Sequence, residues 1–286
     1  MDVPIDFDVL RVHHCYCCFI LKTMTMCFKK KYPIQPIMGY VEHRFMTFGR
    51  NLYGGGNDLR GCVNDSNNMI GAFGKVIPGL TVHRYLDYDV TEANYLTALE
   101  QSIALLPPGA TVVVIMDSCY SGTATRNLMG NPRYIKNRFL GPEIDVPSGP
   151  VRKVARAELM KWIAISAASE HQTAADVQIG GQYVGAFSYY AYKTLKPGMT
   201  WKEWFNTIKL YLPSADLDQI PTIEGPEFLQ ERIIGQGPTL IIHNSSHGSW
   251  QADKSGDEAD GRDEGLYFDK FVSDDKINAC LQKIVL

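Results

Sequence analysis

The stretch that decides the fold is Thr111-Val112-Val113-Val114-Ile115-Met116, followed at once by Asp117-Ser118-Cys119-Tyr120-Ser121-Gly122. An uncharged run rich in β-branched side chains predicts a strand that is buried on both faces, which is typical of a parallel sheet. The polar residues behind the run begin where such a strand ends. Because ligands of open α/β sheets bind beyond the carboxyl ends of the strands, this turn is a candidate site.

Short apolar runs and amphipathic stretches alternate on both sides of that strand. Glycine, proline and helix-capping residues separate them, as they do between the elements of an α/β protein. The pattern predicts an α/β fold with a mostly parallel central sheet and helices on both faces. Further strands are predicted at Thr81–Leu86, 162–166 and 239–242, and helices at 59–73, 91–106, 186–195 and 274–284.

Composition excludes several classes of protein. Of the 286 residues, 45% are hydrophobic and 21% are charged, so the chain as a whole is not disordered, collagen-like or a coiled coil. The 28 basic and 31 acidic residues give a net charge of -3, which does not suit a nucleic-acid partner. Seven cysteines without a disulfide framework favour a reducing, cytoplasmic setting.

The first 37 residues differ from the rest and are interpreted as a leader of unknown role, followed by a single domain at 38–286. The apolar run at 15–28 contains Lys22 and is shorter than the roughly 20 residues that span a bilayer, so no membrane partner is expected. Three lysines, at 29–31, follow this run, whereas the positive charges of a secretory signal precede its apolar stretch. The His and Cys cluster at 13–18 suggests metal binding, but an apolar leader, or a wrongly extended gene start with Met38 or Met46 as the true beginning, is the simpler interpretation.

A second set of polar residues follows the late strand, at His243-Asn244-Ser245-Ser246-His247-Gly248. A thiol and an imidazole at the open ends of two parallel strands suit Cys/His acyl transfer. Gly122 and Gly248 would let backbone N–H groups approach a developing oxyanion. A metal site is an alternative, because His243 and His247 are four residues apart and the carboxylates of 257–264 follow them.

These motifs resemble those of the metacaspases, a family of caspase-like cysteine peptidases. The nucleophile motif is matched at 117–126, the first helix motif at 59–65, and the histidine motif at Ser246-His247-Gly248. The acidic stretch at 257–264 and Gly185-Ala186-Phe187-Ser188 are similar to two further family regions. The resemblance extends from about Leu52 to the C-terminus and implies a caspase-like three-layer sandwich.

The resemblance implies a cysteine endopeptidase that hydrolyses peptide bonds after Arg or Lys. Cys119 would be the nucleophile, and His247 the base and acid. The pocket for the basic side chain would be formed by Cys62, Asp65, Asp117 and Ser245. Carboxylates that converge on a partly desolvated pocket favour a guanidinium or ammonium group by charge pairing.

The resemblance also suggests calcium as an activator, although the chemistry itself requires no cofactor. Hard-cation sites use six to eight oxygen ligands, and a dense acidic run can supply several of them. The candidate ligands are Asp257, Asp260, Asp263 and Asp269. The partners expected are protein or peptide substrates, and the chain is expected to be a monomer.

The order of the segments departs from the family, where the histidine strand precedes the cysteine strand. Here 238–286 carries the histidine and the acidic stretch and lies at the end of the chain, as if transposed. A strand can still enter the same sheet if its connections reach. Glu42, His43 and Arg44 are also unusually polar for a first buried strand. These departures keep open a catalytically silent caspase-like binding module, and the two histidines with the acidic run keep open a metal-dependent hydrolase.

Overall fold

A computed structural model gives the architecture and describes residues 42–118, 135–140, 159–169, 172, 174–212, 217, 219–252 and 262–286. The leader at 1–37 lies outside these residues. A six-stranded sheet is built from β1 (His43–Gly49), β2 (Thr81–Leu86), β3 (Thr111–Asp117), β5 (Ile163–Ser166), β8 (Thr222–Glu224) and β9 (Thr239–Ser245). Its order is β2-β1-β9-β3-β5-β8, and all strands except the edge strand β8 pair in parallel.

Strand β9 lies between β1 and β3 although it comes last of the six in sequence. Its register brings Ser245 opposite both Gly49 at the end of β1 and Asp117 at the end of β3. The late segment therefore reaches the sheet beside the strand that precedes Cys119. Because three parallel strands end side by side, their carboxyl ends form one edge on which side chains can meet.

Helices cover both faces of this sheet. One face carries α1 (Cys62–Val76), α3 (Ala186–Thr194) and α4 (Trp201–Tyr211), and the other carries α2 (Glu92–Ala104) and α6 (Asp274–Leu281), while α5 (Glu227–Gln230) is a short turn. Within β3, Val113 and Ile115 pack against the layer of α1, α3 and α4, whereas Val112 and Val114 pack against the layer of α2 and α6. This alternation gives an α/β three-layer sandwich with a core on each side of the sheet.

The described residues also form two small antiparallel sheets, and neither was predicted from the sequence. One joins β4 (Ile135–Asn137), β6 (Ala175–Ile179) and β7 (Gln182–Gly185), and the other joins β10 (His247–Ala252), β11 (Arg262–Tyr267) and β12 (Phe271–Ser273). These strands are short and polar, so the sequence shows no clear alternation for them. Among the described residues, no helix is long and apolar enough to cross a membrane.

The polar first half of β1 is buried despite its composition. His43 and Arg44 are 8% and 2% exposed, and Arg44 directs its Nη1 atom toward the Ser102 carbonyl 3.5 Å away. The rest of the strand is apolar apart from Thr47. Hydrogen bonding to α2 thus accommodates a strand that lacks the continuous apolar pattern expected for its position.

Candidate active site

The candidate site lies at the edge where β1, β3 and β9 end. Asp117 is the last residue of β3, Ser245 is the last residue of β9, and His247 begins β10 after a single intervening residue. The sequence had located the end of β9 at Ile242, but the strand continues to Ser245. His243 therefore lies inside the sheet and not in the loop beyond it.

Buried His243 is held by partners of its own. Its Nδ1 atom is 2.9 Å from the Thr47 hydroxyl, its Nε2 atom is 3.5 Å from the Ser188 hydroxyl, and its ring stacks on Phe45. Burial, reinforced by the charge of Arg138, lowers the pKa of His243 to about 3. The ring therefore carries no charge at neutral pH and serves to fasten β9 to its neighbours.

Of the two ring nitrogens of His247, only Nε2 has a hydrogen-bond partner among the described residues. Its Nε2 atom is 2.7 Å from the Asn57 carbonyl oxygen, which can only accept, so Nε2 carries the proton. The Tyr53 ring packs edge-on against it at 4.5 Å, and the Tyr53 hydroxyl accepts a hydrogen bond from the His247 backbone N–H at 3.0 Å. The buried Nδ1 atom has no hydrogen-bond partner among the described residues and is free to accept a proton.

The surroundings of His247 favour its neutral form. Burial lowers its pKa to about 4, and the hydrogen bond to the Asn57 carbonyl only partly opposes that effect. At neutral pH the unprotonated Nδ1 is available as a base. The predicted nucleophile, Cys119, lies outside the described residues, two positions after Asp117.

The predicted pocket residues converge on one side chain of the same chain. The guanidinium of Arg138 is fully buried, with Nη2 2.6 Å from Asp65 and 3.0 Å from Asp176, and Nη1 3.2 Å from Asp117. Nη1 also donates to the Ser245 hydroxyl at 2.7 Å, and that hydroxyl donates to Asp65 at 2.8 Å. Asp65, Asp117 and Ser245 therefore lie in one buried cluster around the guanidinium of Arg138.

The remaining predicted pocket residue, Cys62, borders the same cluster. It is a buried free thiol at the start of α1, and the charges of Arg138, Asp176 and Asp65 act on it. Burial raises the pKa of Cys62 well above its usual range, although the positive charge of Arg138 opposes the rise. The thiol is therefore protonated and forms part of the wall.

Each carboxylate of the pocket is also held by groups other than Arg138. The Gly185 N–H donates to Asp65, the Ser188 N–H and hydroxyl donate to Asp117, and the N–H groups of Arg60 and Gly61 donate to Asp176. Burial raises the pKa of Asp65, and Arg138 limits that rise. Burial alone would lower the pKa of Arg138, but the three carboxylates raise it well above its usual value.

Close approach at Gly185 is needed for this packing. A Cβ atom there would collide with Asp117 and with the Arg138 guanidinium. Gly185 precedes α3, and its N–H is one of the donors to Asp65. The absence of a side chain therefore lets the end of β7 contact the pocket directly.

The main chain of Arg138 is bound as well as its side chain. Its carbonyl accepts the Gly248 N–H at 2.8 Å, and its own N–H donates to the Ala174 carbonyl at 3.0 Å. Two residues further, the Leu140 N–H donates to the Gly248 carbonyl at 2.9 Å. The N–H of the glycine after His247 thus contacts the carbonyl of the arginine that fills the pocket.

The described residues give no assembled calcium site. Asp263 accepts a hydrogen bond from Gln251 at 3.0 Å, and Asp269 accepts the Glu92 N–H at 2.8 Å. Within the part of the chain that is described, no group of three His, Cys, Asp or Glu side chains is arranged to hold a metal ion. Asp257 and Asp260 lie outside the described residues, so calcium activation stays a prediction.

Sequence reasoning missed Arg138, Asp176 and the Asn57 carbonyl. Asp176 was marked only by being a charged residue beside the apolar Ala174, Ala175 and Val177. Arg138 lacks any local pattern that distinguishes it from other basic residues. The Asn57 contact is made by a backbone carbonyl, which is present at every residue and gives no sequence signal.

A scan of the chain against models of protein families finds no match, and a search of curated proteins finds none.

Proposed function

We propose that the protein is a cysteine endopeptidase that cleaves peptide bonds after arginine or lysine. Cys119 is the nucleophile, and His247 transfers the protons. Asp65, Asp117, Asp176 and Ser245 bind the basic side chain of the substrate. The proposal joins the resemblance of the motifs to the metacaspases with the geometry of the pocket.

One observation carries this proposal. A single arginine places its guanidinium on three buried carboxylates while its carbonyl oxygen accepts the N–H of Gly248, next to His247. A peptidase specific for arginine must hold the residue before the scissile bond in this double way. The side-chain contacts set specificity, and the N–H at the carbonyl oxygen stabilises the charge that develops there.

The chemistry follows from the protonation state of His247. Its Nδ1 atom accepts the Cys119 thiol proton, and the sulfur bonds to the substrate carbonyl carbon. The carbon–nitrogen bond then breaks, and His247 returns the proton to the departing amine. Water, deprotonated by the same imidazole, hydrolyses the thioester and releases the carboxylic acid and the thiol. The Gly248 N–H donates to the oxyanion in both halves of the reaction.

The charge of the pocket supports selection for basic residues. Three carboxylates against one guanidinium leave the buried cluster acidic, and an aspartate side chain would meet like charges there. Like-charge contacts in a desolvated site cost several kcal/mol, so we expect a preference of at least about 100-fold for arginine over aspartate.

Paired fluorogenic peptides that end in arginine and in aspartate test the proposal, each with and without millimolar calcium. Hydrolysis after arginine only is expected, and Cys119→Ala should abolish it while the circular dichroism spectrum stays unchanged. Retained turnover in Cys119→Ala, or equal hydrolysis of both peptides, would contradict the proposal. Loss of turnover to chelators of transition metals, without sensitivity to thiol alkylation, would favour the metal-dependent hydrolase instead.

The filled pocket also favours a second candidate, a catalytically silent caspase-like binding module. A side chain with no exposed surface and four polar partners would block the pocket if it never left. A warhead that carries arginine and targets cysteines separates the two. Labelling of Cys119, located by mass spectrometry among the seven cysteines, supports the peptidase, and failure to label a folded sample supports the silent module.

We further propose a cytoplasmic monomer. Cys62 and Cys280 are buried free thiols, in keeping with a reducing compartment. The catalytic step needs no cofactor, and calcium would act only as an activator.

A further inference from the structure

The segment from Lys136 to Leu140 lies against the site, and it comprises the end of β4 and the three residues after it. Strand β4 pairs antiparallel with β6, with Lys136 opposite Asp176 and Asn137 opposite Ala175. Hydrogen bonds from Arg138 to Ala174 and from Leu140 to Gly248 continue the same extended path. Peptides that add a strand to a sheet edge are held by their main chain and read through alternate side chains.

We propose that this segment occupies the cleft as a substrate would, and that its sequence defines the substrate class. That class is an extended peptide with a basic residue two positions before the arginine, in the pattern basic-any-arginine followed by an apolar residue. The inference rests on the proposed peptidase function and adds a second specificity site to it.

The second site binds Lys136. Its ammonium donates to the carbonyls of Gly56 and Asp58 at 2.8 and 2.6 Å. The carboxylates of Asp58 and Asp176 add favourable charge. Residues two apart on a strand project from the same side, so the site binds the side chains of Lys136 and Arg138 and not that of Asn137. An acidic side chain at this position would meet two carbonyl oxygens and the same carboxylates.

The loop that binds Lys136 also orients His247. Gly54, Gly55 and Gly56 all have positive φ, a conformation that other residues rarely adopt. Between the two carbonyls that hold the lysine lies Asn57, whose carbonyl accepts the proton on His247 Nε2. A cation bound to Gly56 and Asp58 therefore holds the loop that fixes the imidazole. A basic residue at this position should raise kcat as well as lower KM.

The position after the arginine is apolar in the same segment. Phe139 packs against the core formed by α1, α3 and α4, and it bridges to Gly248. Two hydrogen bonds to Gly248, one on each side of Phe139, hold this part of the segment. A substrate would place an apolar side chain here immediately after the scissile bond.

Matched fluorogenic peptides Ile-Lys-Asn-Arg, Ile-Gln-Asn-Arg and Ile-Glu-Asn-Arg test the second site. Because hydrogen bonds to a charged group contribute about twice as much as neutral ones, we expect kcat/KM for the lysine peptide to exceed that for glutamine by about tenfold, with glutamate lowest. Equal kcat/KM for all three, with arginine still required at the last position, would overturn the inference and leave the peptidase function intact.

Binding gives a readout that does not depend on catalysis. In a Cys119→Ala background, which prevents hydrolysis after the arginine, Arg138→Gln vacates the pocket. Adding the peptide Ile-Lys-Asn-Arg-Phe-Leu should then raise the melting temperature of the double variant more than Ile-Gln-Asn-Arg-Phe-Leu does. A lysine preference in this assay, together with no hydrolysis of any fluorogenic peptide by the wild type, would refute the peptidase but support the second site. An equal shift with both peptides would count against the site.

A second variant avoids any loss of folding that Arg138→Gln causes. Lys136→Gln weakens the hold of the internal segment while keeping Arg138, so it should raise kcat/KM for the lysine peptide by several-fold. The matched control is Lys196→Gln, which removes an exposed lysine after α3 and should change nothing. Identical rates in Lys136→Gln and the control would contradict competition between segment and substrate.

Discussion

The interior of the sheet and its carboxyl edge are built on different physical principles. In the interior, β3 and β9 present apolar side chains to a core on each face, and contacts are non-directional. At the edge, a few residues beyond, Asp65, Asp117 and Asp176 surround Arg138 through directed, charged hydrogen bonds. The interior supplies stability, and the edge depends on charge balance for its integrity.

Removal of the central cation should produce the largest effect on stability. Arg138→Ala leaves buried carboxylates without their cation and should lower the free energy of unfolding by about 3–5 kcal/mol at pH 7. Ile241→Val, in the interior of β9, should cost only about 0.5–1.5 kcal/mol because it removes one buried methyl group. Urea unfolding of both variants measures the contrast.

The free energies of unfolding of Arg138→Ala and Ile241→Val should also differ in how they depend on pH. Burial raises the pKa of Asp65 above its unfolded value, so its protonation stabilises the folded state at low pH and that benefit is lost as pH rises. Without Arg138 the pKa of Asp65 rises further. The free energy of unfolding that Arg138→Ala removes should therefore become smaller as the pH is lowered from 7 to 5. The cost of Ile241→Val should stay constant. A cost of Arg138→Ala that is independent of pH would contradict a cluster in which Arg138 offsets part of the carboxylate charge.

A smaller effect is expected at Gly185. Gly185→Ala introduces a Cβ that collides with Asp117 and Arg138, and overpacking of this kind costs about 1–3 kcal/mol. Hydrolysis of arginine peptides should fall as well, because the same atom narrows the pocket. Gly74→Ala, on the exposed face of α1 with open space around it, should instead stabilise by about 0.4–1 kcal/mol. Losses of equal size in the two variants would argue against close packing at the pocket.

The smallest effect concerns the decrease of kcat as the pH is lowered. With its pKa lowered to about 4 by burial, His247 stays unprotonated at pH 5.5 and remains a base. An ordinary histidine with a pKa of about 6.5 would be about 90% protonated at that pH. We therefore expect kcat at pH 5.5 to stay within about twofold of its value at pH 7, whereas an ordinary base would lose about tenfold. Saturating substrate keeps the pocket filled, so the measurement reports the imidazole.

The sequence predicts the interior better than the edge, for a physical reason. The boundaries of β2 and the start of β3 agree with prediction, because a buried strand depends on which of its own residues are apolar. The ion pair between Arg138 and Asp65 joins residues that are 73 positions apart. Such a contact depends on the completed fold, and no local spacing reveals it.

Strand β9 has one half that the sequence predicts and one half that it does not. Its apolar half was predicted from composition, whereas its polar half, through Ser245, was expected to lie beyond the sheet. His243 and Asn244 remain in the strand because both neighbouring strands, β1 and β3, extend as far and pair with them. Tertiary pairing thus overrides a local preference for a turn. The short strands around the pocket were missed for the same reason.

The most direct test is whether the carboxyl edge of the sheet accepts an external arginine next to Cys119. The protein is treated with an acyloxymethyl ketone carrying Lys-Asn-Arg, and the modified cysteine is located by mass spectrometry. We predict labelling at Cys119, slower labelling in an excess of Ile-Lys-Asn-Arg-Phe-Leu, and no labelling by the matched aspartate reagent. A folded sample in which Cys119 reacts with neither reagent, or equally with both, would contradict an arginine-selective cysteine peptidase.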